Sequence, residues 1–198
     1  MKEVGIIKTG VANIASIEAA FERLGAKTKL IHNPAEINEA EQLILPGVGT
    51  FGACLEYLET SGVKPELIKY IANKGKLLAI CCGFQVLFNL SEESPGVKGL
   101  AILNAEVKKF PATVKTPQFG WNEVKANSNC KNISTGYAYF ANSYAVSIEV
   151  DCSAIATANY GSEFVAGFEL DNITALQFHP ELSGDYGENI LRSWLNAN

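Results

Sequence analysis

The first eighty residues alternate short apolar runs with segments whose apolar positions recur every three or four residues. Val4 to Ile7 reads as a buried strand. Ile14, Ile17, Phe21 and Leu24 then share one face of a helix that Asn13 can cap and Gly25 stops. Thr28 to Ile31 reads as the next strand, and Pro34 opens a short helical stretch. Gln42 to Leu45 is a third strand, ending in Pro46-Gly47-Val48-Gly49. Helices are predicted around Ala53–Glu59 and Pro65–Asn73, and Leu77 to Ile80 is a strand that runs into Cys81. Strands that alternate with helices predict a parallel sheet with right-handed crossovers and functional loops at the carboxyl ends of its strands.

From about Leu103 the pattern changes. Ala105–Phe110, Tyr137–Ser143, Ala154–Asn159, Val165–Leu170 and Ile173–Phe178 are β-rich, with hairpin signals at Asn159-Tyr160-Gly161 and Asp171-Asn172. A last helix, about Tyr186 to Leu195, carries Ile190, Leu191, Trp194 and Leu195 on its apolar side. Without repeats, low-complexity tracts or a linker, the 198 residues read as one α/β domain, 1–198.

Composition narrows the function. The net charge of −5 gives no general attraction for nucleic acid or anionic lipid. No apolar run approaches the roughly 20 residues of a membrane span. The amino-terminal run is interrupted by Glu3 and followed by no signal-type cleavage site. Five cysteines show neither CxxC nor Cys/His metal spacing, which points to reduced thiols, a cytoplasmic location and no metal site.

The most informative segment is Leu77-Leu78-Ala79-Ile80-Cys81-Cys82-Gly83-Phe84-Gln85, followed by a helical pattern through Val86, Leu87 and Leu90. It has the form of a nucleophile elbow. A sharp strand-to-helix turn needs small residues two before and two after the nucleophile, because backbones approach closely there. Around Cys81 those positions are Ala79 and Gly83, both small; around Cys82 they are Ile80 and Phe84, both bulky. Cys81 is therefore the candidate nucleophile and Cys82 a packed thiol, while the segment taken alone also fits two inert core cysteines.

Of two histidines, His32 follows a short strand in a polar loop and reads as a surface residue. His179 stands in Gln177-Phe178-His179-Pro180-Glu181, where Pro180 favours an extended backbone. Residues two apart then face the same side, so Glu181 can orient the imidazole, a cysteine–histidine–acid arrangement. Pro46-Gly47-Val48-Gly49 leaves backbone N–H groups free to meet a developing negative charge, although a plain glycine-rich turn has the same sequence. It lacks the spacing and lysine of a phosphate-binding loop.

Together these segments resemble the class I glutamine amidotransferases, and within them the glutaminase subunits of imidazole glycerol phosphate synthase. The resemblance spans nearly the whole chain. It includes Ala12-Asn13-Ile14, Leu45-Pro46-Gly47-Val48-Gly49, Ile80-Cys81-Cys82-Gly83-Phe84-Gln85, Gly120-Trp121-Asn122, Tyr139-Phe140 with Ser143-Tyr144, and Gln177 to Glu181. It implies a flavodoxin-like fold: a central, mostly parallel sheet flanked by helices, with a β-rich carboxyl-terminal half. It implies a Cys81–His179–Glu181 triad, an oxyanion site framed by Gly47, Val48, Gly49 and Cys82, and glutamine held by Gln85, Ser143 and Tyr144. No cofactor is implied. The implied partner is a (βα)8-barrel cyclase that receives ammonia and makes imidazole glycerol phosphate, with Asn13, Trp121, Asn122 and Leu182 at the interface.

The chain departs from the family pattern at several positions. Lys8-Thr9 replaces Asp-Tyr, Ala15 an arginine, Ala79 the elbow glycine, and Leu182 an interface lysine. Gln118 and Asn142 stand where histidines are frequent. None of these is a triad residue. Ammonia made without an acceptor is wasted, so the subunit is expected to be slow alone and switched on by its partner, through reorientation of a backbone N–H in the glycine loop. The rival readings are a paralogous glutaminase serving another partner, such as one modifying surface sugars; the glutaminase of pyridoxal phosphate synthesis; a DJ-1-like redox or stress protein; and a catalytically silent subunit.

Overall fold

The apolar runs of the amino-terminal half lie side by side as parallel strands. The protein is described by a computed structural model over residues 2–9 and 13–197, so Ala12 lies outside the described residues. β1 (Glu3–Ile7) leads into α1 (Ile14–Arg23), whose first turn is capped by the Asn13 side chain accepting from the Ser16 N–H. Gly25 follows with φ 75°, a left-handed conformation that suits glycine at a helix end. β2 (Lys27–Ile31), a 3-10 turn (Pro34–Glu39), β3 (Gln42–Leu45), α2 (Phe51–Thr60), α3 (Val63–Ala72) and β4 (Lys76–Ile80) complete the alternating part.

After α4 (Cys82–Gln85) come β5 (Leu90–Ser91), β6 (Glu106–Lys109), β7 (Gln118–Ala126), β8 (Gly136–Asn142) and β9 (Tyr144–Val146). β10 (Ala154–Asn159), β11 (Glu163–Leu170), β12 (Ile173–Leu176), a 3-10 turn (Pro180–Leu182) and α5 (Gly184–Asn196) end the chain. Among the described residues the main sheet has the order β2-β1-β3-β4-β12-β11-β10-β7-β8, and β5-β6-β9 form a small second sheet. Pairing is parallel from β2 to β12 and antiparallel from β12 to β8. No helix among the described residues is long and apolar enough to cross a membrane.

The core lies on both faces of the sheet. Leu43, Leu45, Leu77 and Ala79 face α2 and α3; Ile44, Leu78 and Ile80 face the side of Phe21 and Trp194, which meet edge to face at 5.9 Å. Strands buried on both faces read as continuous apolar runs, which is why β3 and β4 stand out in the sequence.

Two expectations are corrected. The helix after Cys81 ends at Gln85 and does not continue through Leu90. The carbonyls of Val86, Leu87 and Phe88 accept from Leu100, Ile102 and Ala101, so the next segment takes the bonds that a further helical turn would need. β12 stops at Leu176 and not at Phe178, because the chain bends there toward His179.

Candidate active site

β3, β4 and β12 are parallel neighbours whose carboxyl ends share one edge of the sheet. Leu45 pairs with Ala79, and Leu176 with Ile80. The chain therefore leaves these three ends as the glycine loop, Cys81 and the Gln177-Phe178-His179 segment, all close together. Residues more than ninety positions apart meet because of strand order.

Cys81 sits at the corner with φ 54° and ψ −110°, and its N–H donates to the Leu176 carbonyl at 2.8 Å. A positive φ in a residue with a side chain is strained, and such strain clusters at functional corners. Close approach explains the small neighbours. A Cβ on Gly83 would lie 2.0 Å from the Leu45 carbonyl oxygen, and one on Gly47 would lie 2.6 Å from both Cys82 Cβ and the Gly83 nitrogen. Cys81 keeps 8 % of its surface exposed and Cys82 only 1 %. A hydrogen bond with the Cys54 thiol, then burial, pushes the Cys82 thiol well above its usual range. Cys82 is thus a packed neutral thiol, as the flanking residues predict.

His179 and Glu181 come together as expected: Nδ1 lies 2.8 Å from Glu181 Oε1, with side chains only 7 % and 3 % exposed. The other ring nitrogen is not engaged by Glu181 and is left for the Cys81 thiol, which lies near enough to shift the imidazole's titration. Burial alone would lower the imidazole pKa. The Cys81 charge and hydrogen bond, followed by those of Glu181, outweigh it and raise the value to about 10. The imidazole is fixed from behind as well. Its backbone N–H donates to the Tyr139 carbonyl at 2.9 Å. Ser183 Oγ donates to the His179 carbonyl at 2.6 Å and accepts from the Tyr139 N–H at 2.9 Å.

Gln85 lies buried in α4 beside this group. Its Nε2 donates to the Tyr144 carbonyl at 3.2 Å and to Gln177 Oε1 at 2.9 Å. With both hydrogens committed, Gln85 offers a ligand only its own carbonyl oxygen, an acceptor suited to an ammonium group. The Ser143 carbonyl accepts from the Phe110 N–H at 3.1 Å, tying the segment before β9 to β6. Val48 is half-buried and Gly49, with φ 101°, is exposed. The Gly47 carbonyl accepts from the Cys82 N–H at 3.2 Å, so that oxyanion candidate is occupied by the loop itself.

The interface candidates divide. Trp121 is 58 % exposed, joined by Phe119 at 71 %, Tyr137 at 60 % and Leu182 at 40 %. Asn122 is half-buried and engaged within the chain, its Nδ2 donating to the Asn159 carbonyl at 2.9 Å. Asn13 is exposed but serves as the cap of α1. Ser183 and Gln177 escape a sequence reading. A glutamine within the apolar run Ala175 to Phe178 is the signal that could have found Gln177, since a polar side chain there must be hydrogen-bonded. Among the described residues no group of three or more His, Cys, Asp or Glu side chains is placed to hold a metal ion.

The chain matches the family model described as glutamine amidotransferase class-I over residues 6–197. It is 39 % identical to the imidazole glycerol phosphate synthase subunit HisH of Methanocaldococcus jannaschii, covering 97 % of this chain and 98 % of that protein. It is 36 % identical to the chloroplastic imidazole glycerol phosphate synthase hisHF of Arabidopsis thaliana, covering 98 % of this chain but only 34 % of that protein. The chain thus spans about a third of that longer relative. Its fold is that of a crystal structure of a glutamine amidotransferase, with TM-score 0.79 at 19 % identity over 97 % of this chain and 96 % of the other. It is also that of PurLQS from Thermotoga maritima, with TM-score 0.76 at 19 % identity over 98 % of each chain. With the elbow, the buried imidazole–carboxylate pair and a family match over almost every residue, the chain belongs to the class I glutamine amidotransferases.

Proposed function

We propose that this protein is the glutaminase subunit of an imidazole glycerol phosphate synthase, acting as a single domain in the cytoplasm and passing ammonia to a (βα)8-barrel cyclase in histidine biosynthesis. The observation that carries the chemistry is the shared edge of β3, β4 and β12, where a thiol, a buried imidazole–carboxylate pair and a glycine loop converge. The Cys81 thiolate attacks the side-chain amide carbon of glutamine. His179, held by Glu181, protonates the departing ammonia and then takes a proton from the water that hydrolyses the thioester. Gln85 and the strand ends around Ser143 and Tyr144 hold the amino acid. A redox or stress protein on a cysteine elbow has no need of the buried His179–Glu181 pair.

The oxyanion site is closed at rest. The Gly47 carbonyl points at the Cys82 N–H, an acceptor where the reaction needs donors. Turning over the Gly47–Val48 peptide would free the Cys82 N–H and present the Val48 N–H beside it. Gly47 has no side chain to oppose the turn. The exposed apolar surface of Phe119, Trp121 and Leu182 is the docking surface for the cyclase. It lies next to the triad: Leu182 follows Glu181, and the Trp121 ring lies 3.9 Å from where a Cβ on Gly184 would stand. Docking therefore acts on the segment that holds His179. The longer relative of the hisHF type supports a partner joined to such a domain.

Ammonia release from glutamine should be slow for the chain alone and rise when the barrel cyclase and its nucleotide ligand are added. High activity of the lone chain would refute the closed resting state, and no activity in either mixture would refute the glutaminase assignment.

A further inference from the structure

We propose that Gln177 is a positioning residue for the nucleophile, its side-chain amide holding one N–H toward the Cys81 sulfur in a direction dictated by the backbone carbonyl of Tyr144. This rests on Cys81 being the nucleophile, as proposed above. Gln177 is fully buried and leaves the end of β12 with its backbone N–H donating to the Ala166 carbonyl at 2.8 Å. A primary amide keeps its shape when turned over, so only its partners can decide which end faces the sulfur.

Those partners form a chain with one answer. The Tyr144 carbonyl can only accept. It receives Asn142 Nδ2 at 3.0 Å and Gln85 Nε2 at 3.2 Å, so the nitrogen of Gln85 must face it. The second hydrogen on that nitrogen goes to Gln177 Oε1 at 2.9 Å. The oxygen of Gln177 is thereby committed to Gln85, and its Nε2 faces Cys81 Sγ at 4.0 Å. Turning the Gln177 amide over would set two donors against each other and an oxygen against the sulfur.

At 4.0 Å the contact is long for a neutral thiol. It strengthens when the sulfur is ionised, because a donor facing a charged acceptor in a buried site is worth more than a neutral pair. The sulfur then has two donors, the imidazole of His179 and the amide of Gln177. The amide favours the thiolate by donating a hydrogen bond without giving up its proton to the sulfur, so it acts in every protonation state of His179. This explains why a fully polar side chain occupies the interior beside the elbow.

The test is the pH dependence of Cys81 alkylation by iodoacetamide in the full chain, with the modified residue located by peptide fragmentation. Gln177→Met should move the midpoint of the alkylation profile upward by about one pH unit and lower kcat for glutamine about tenfold, with KM nearly unchanged. Gln177→Glu keeps the size and places a carboxylate beside the sulfur, and should shift the midpoint at least as far. Gln85→Met leaves Gln177 in place but releases its amide, so it too should shift the midpoint upward and keeps the test open if the Gln177 variants do not fold. Profiles that superimpose on the unmodified protein, whatever happens to melting temperature, would overturn the positioning role. If Cys81 in the unmodified protein reacts no faster than the half-buried Cys130, the nucleophile assignment falls first and this proposal with it.

Discussion

The parallel and antiparallel halves of the main sheet hold functional groups by different means. In the parallel half, β3 and β4 are buried on both faces, and their groups are placed by backbone geometry. Cys81 sits on a corner with positive φ, and the Gly47 and Gly83 backbones press together where a single Cβ would collide. In the antiparallel half, β8 turns Ala138 and Phe140 into the core, while the opposite face of β7 and β8 leaves Phe119, Trp121 and Tyr137 in the open. There, side-chain hydrogen bonds do the placing: Ser183 joins His179 to Tyr139, and Asn142 at the end of β8 reaches the Tyr144 carbonyl of the small sheet, which Gln85 of α4 shares. β12 pairs parallel with β4 and antiparallel with β11, so the imidazole is delivered from the seam. The closed half suits bond-making geometry, and the open half suits a partner.

Removing the proposed nucleophile should have the largest effect. Cys81→Ala should lower glutamine hydrolysis by more than about 10³-fold in a steady-state ammonia assay with the partner present. Cys82→Ala keeps the backbone N–H and should retain turnover; an equal loss would break the distinction between corner and core thiols. Glu181→Gln should cost on the order of 10²–10³ in kcat, since the imidazole loses the carboxylate that sets its tautomer.

The His179 imidazole, raised by Cys81 and then by Glu181, predicts a pH dependence of stability. The His179 pKa lies at about 10 in the folded protein against 6.5 for a free imidazole. Its raised value contributes stability that is full below pH 6.5 and is lost as the pH rises through about 10. Thermal unfolding followed across that window should show a decline that Glu181→Gln makes shallower. An unchanged slope would leave Cys81 as the sole source of the shift.

On the open half, Trp121→Ala should weaken association with the cyclase by about 2 kcal/mol, roughly 30-fold, in a titration. It should leave chemical denaturation nearly unchanged, because the side chain is mostly exposed. A loss of stability without a loss of affinity would make the tryptophan a structural residue. Ser183→Ala should cost about 1 kcal/mol of stability by unpairing the half-buried Tyr139 N–H, measured by denaturant titration. No loss would show that the backbone bond from His179 to the Tyr139 carbonyl joins the two segments without the hydroxyl.

Much of the parallel half was legible in the sequence. β1, β2, β3 and β4 and the helices between them fall within a residue or two of the apolar runs; β1, β3 and β4 stand out because strands buried on both faces leave few polar positions to blur the pattern, while β2, at the sheet edge, shows mainly through Leu30 and Ile31. The corner position of Cys81, with Cys82 packed behind it, was also legible, since Ala79 and Gly83 report close backbone approach around Cys81. β7 was recognisable only as the Gly120-Trp121-Asn122 segment: with exposed aromatics on one face and polar residues on the other, it lacks the usual alternation. The expected helix through Leu90 failed because Leu100, Ala101 and Ile102, distant in the chain, supply the hydrogen bonds.

The sequence by itself determined the elbow, the His179–Glu181 spacing and the strands that carry them, because these depend on neighbours within a few residues. Only the tertiary structure decided that β12 lies beside β4, that the Gly47 carbonyl occupies the Cys82 N–H, and that Gln85 turns the Gln177 amide toward the sulfur. Each of these depends on partners far apart in the chain, and a hydrogen bond's direction is set by which partner arrives, which no local pattern encodes.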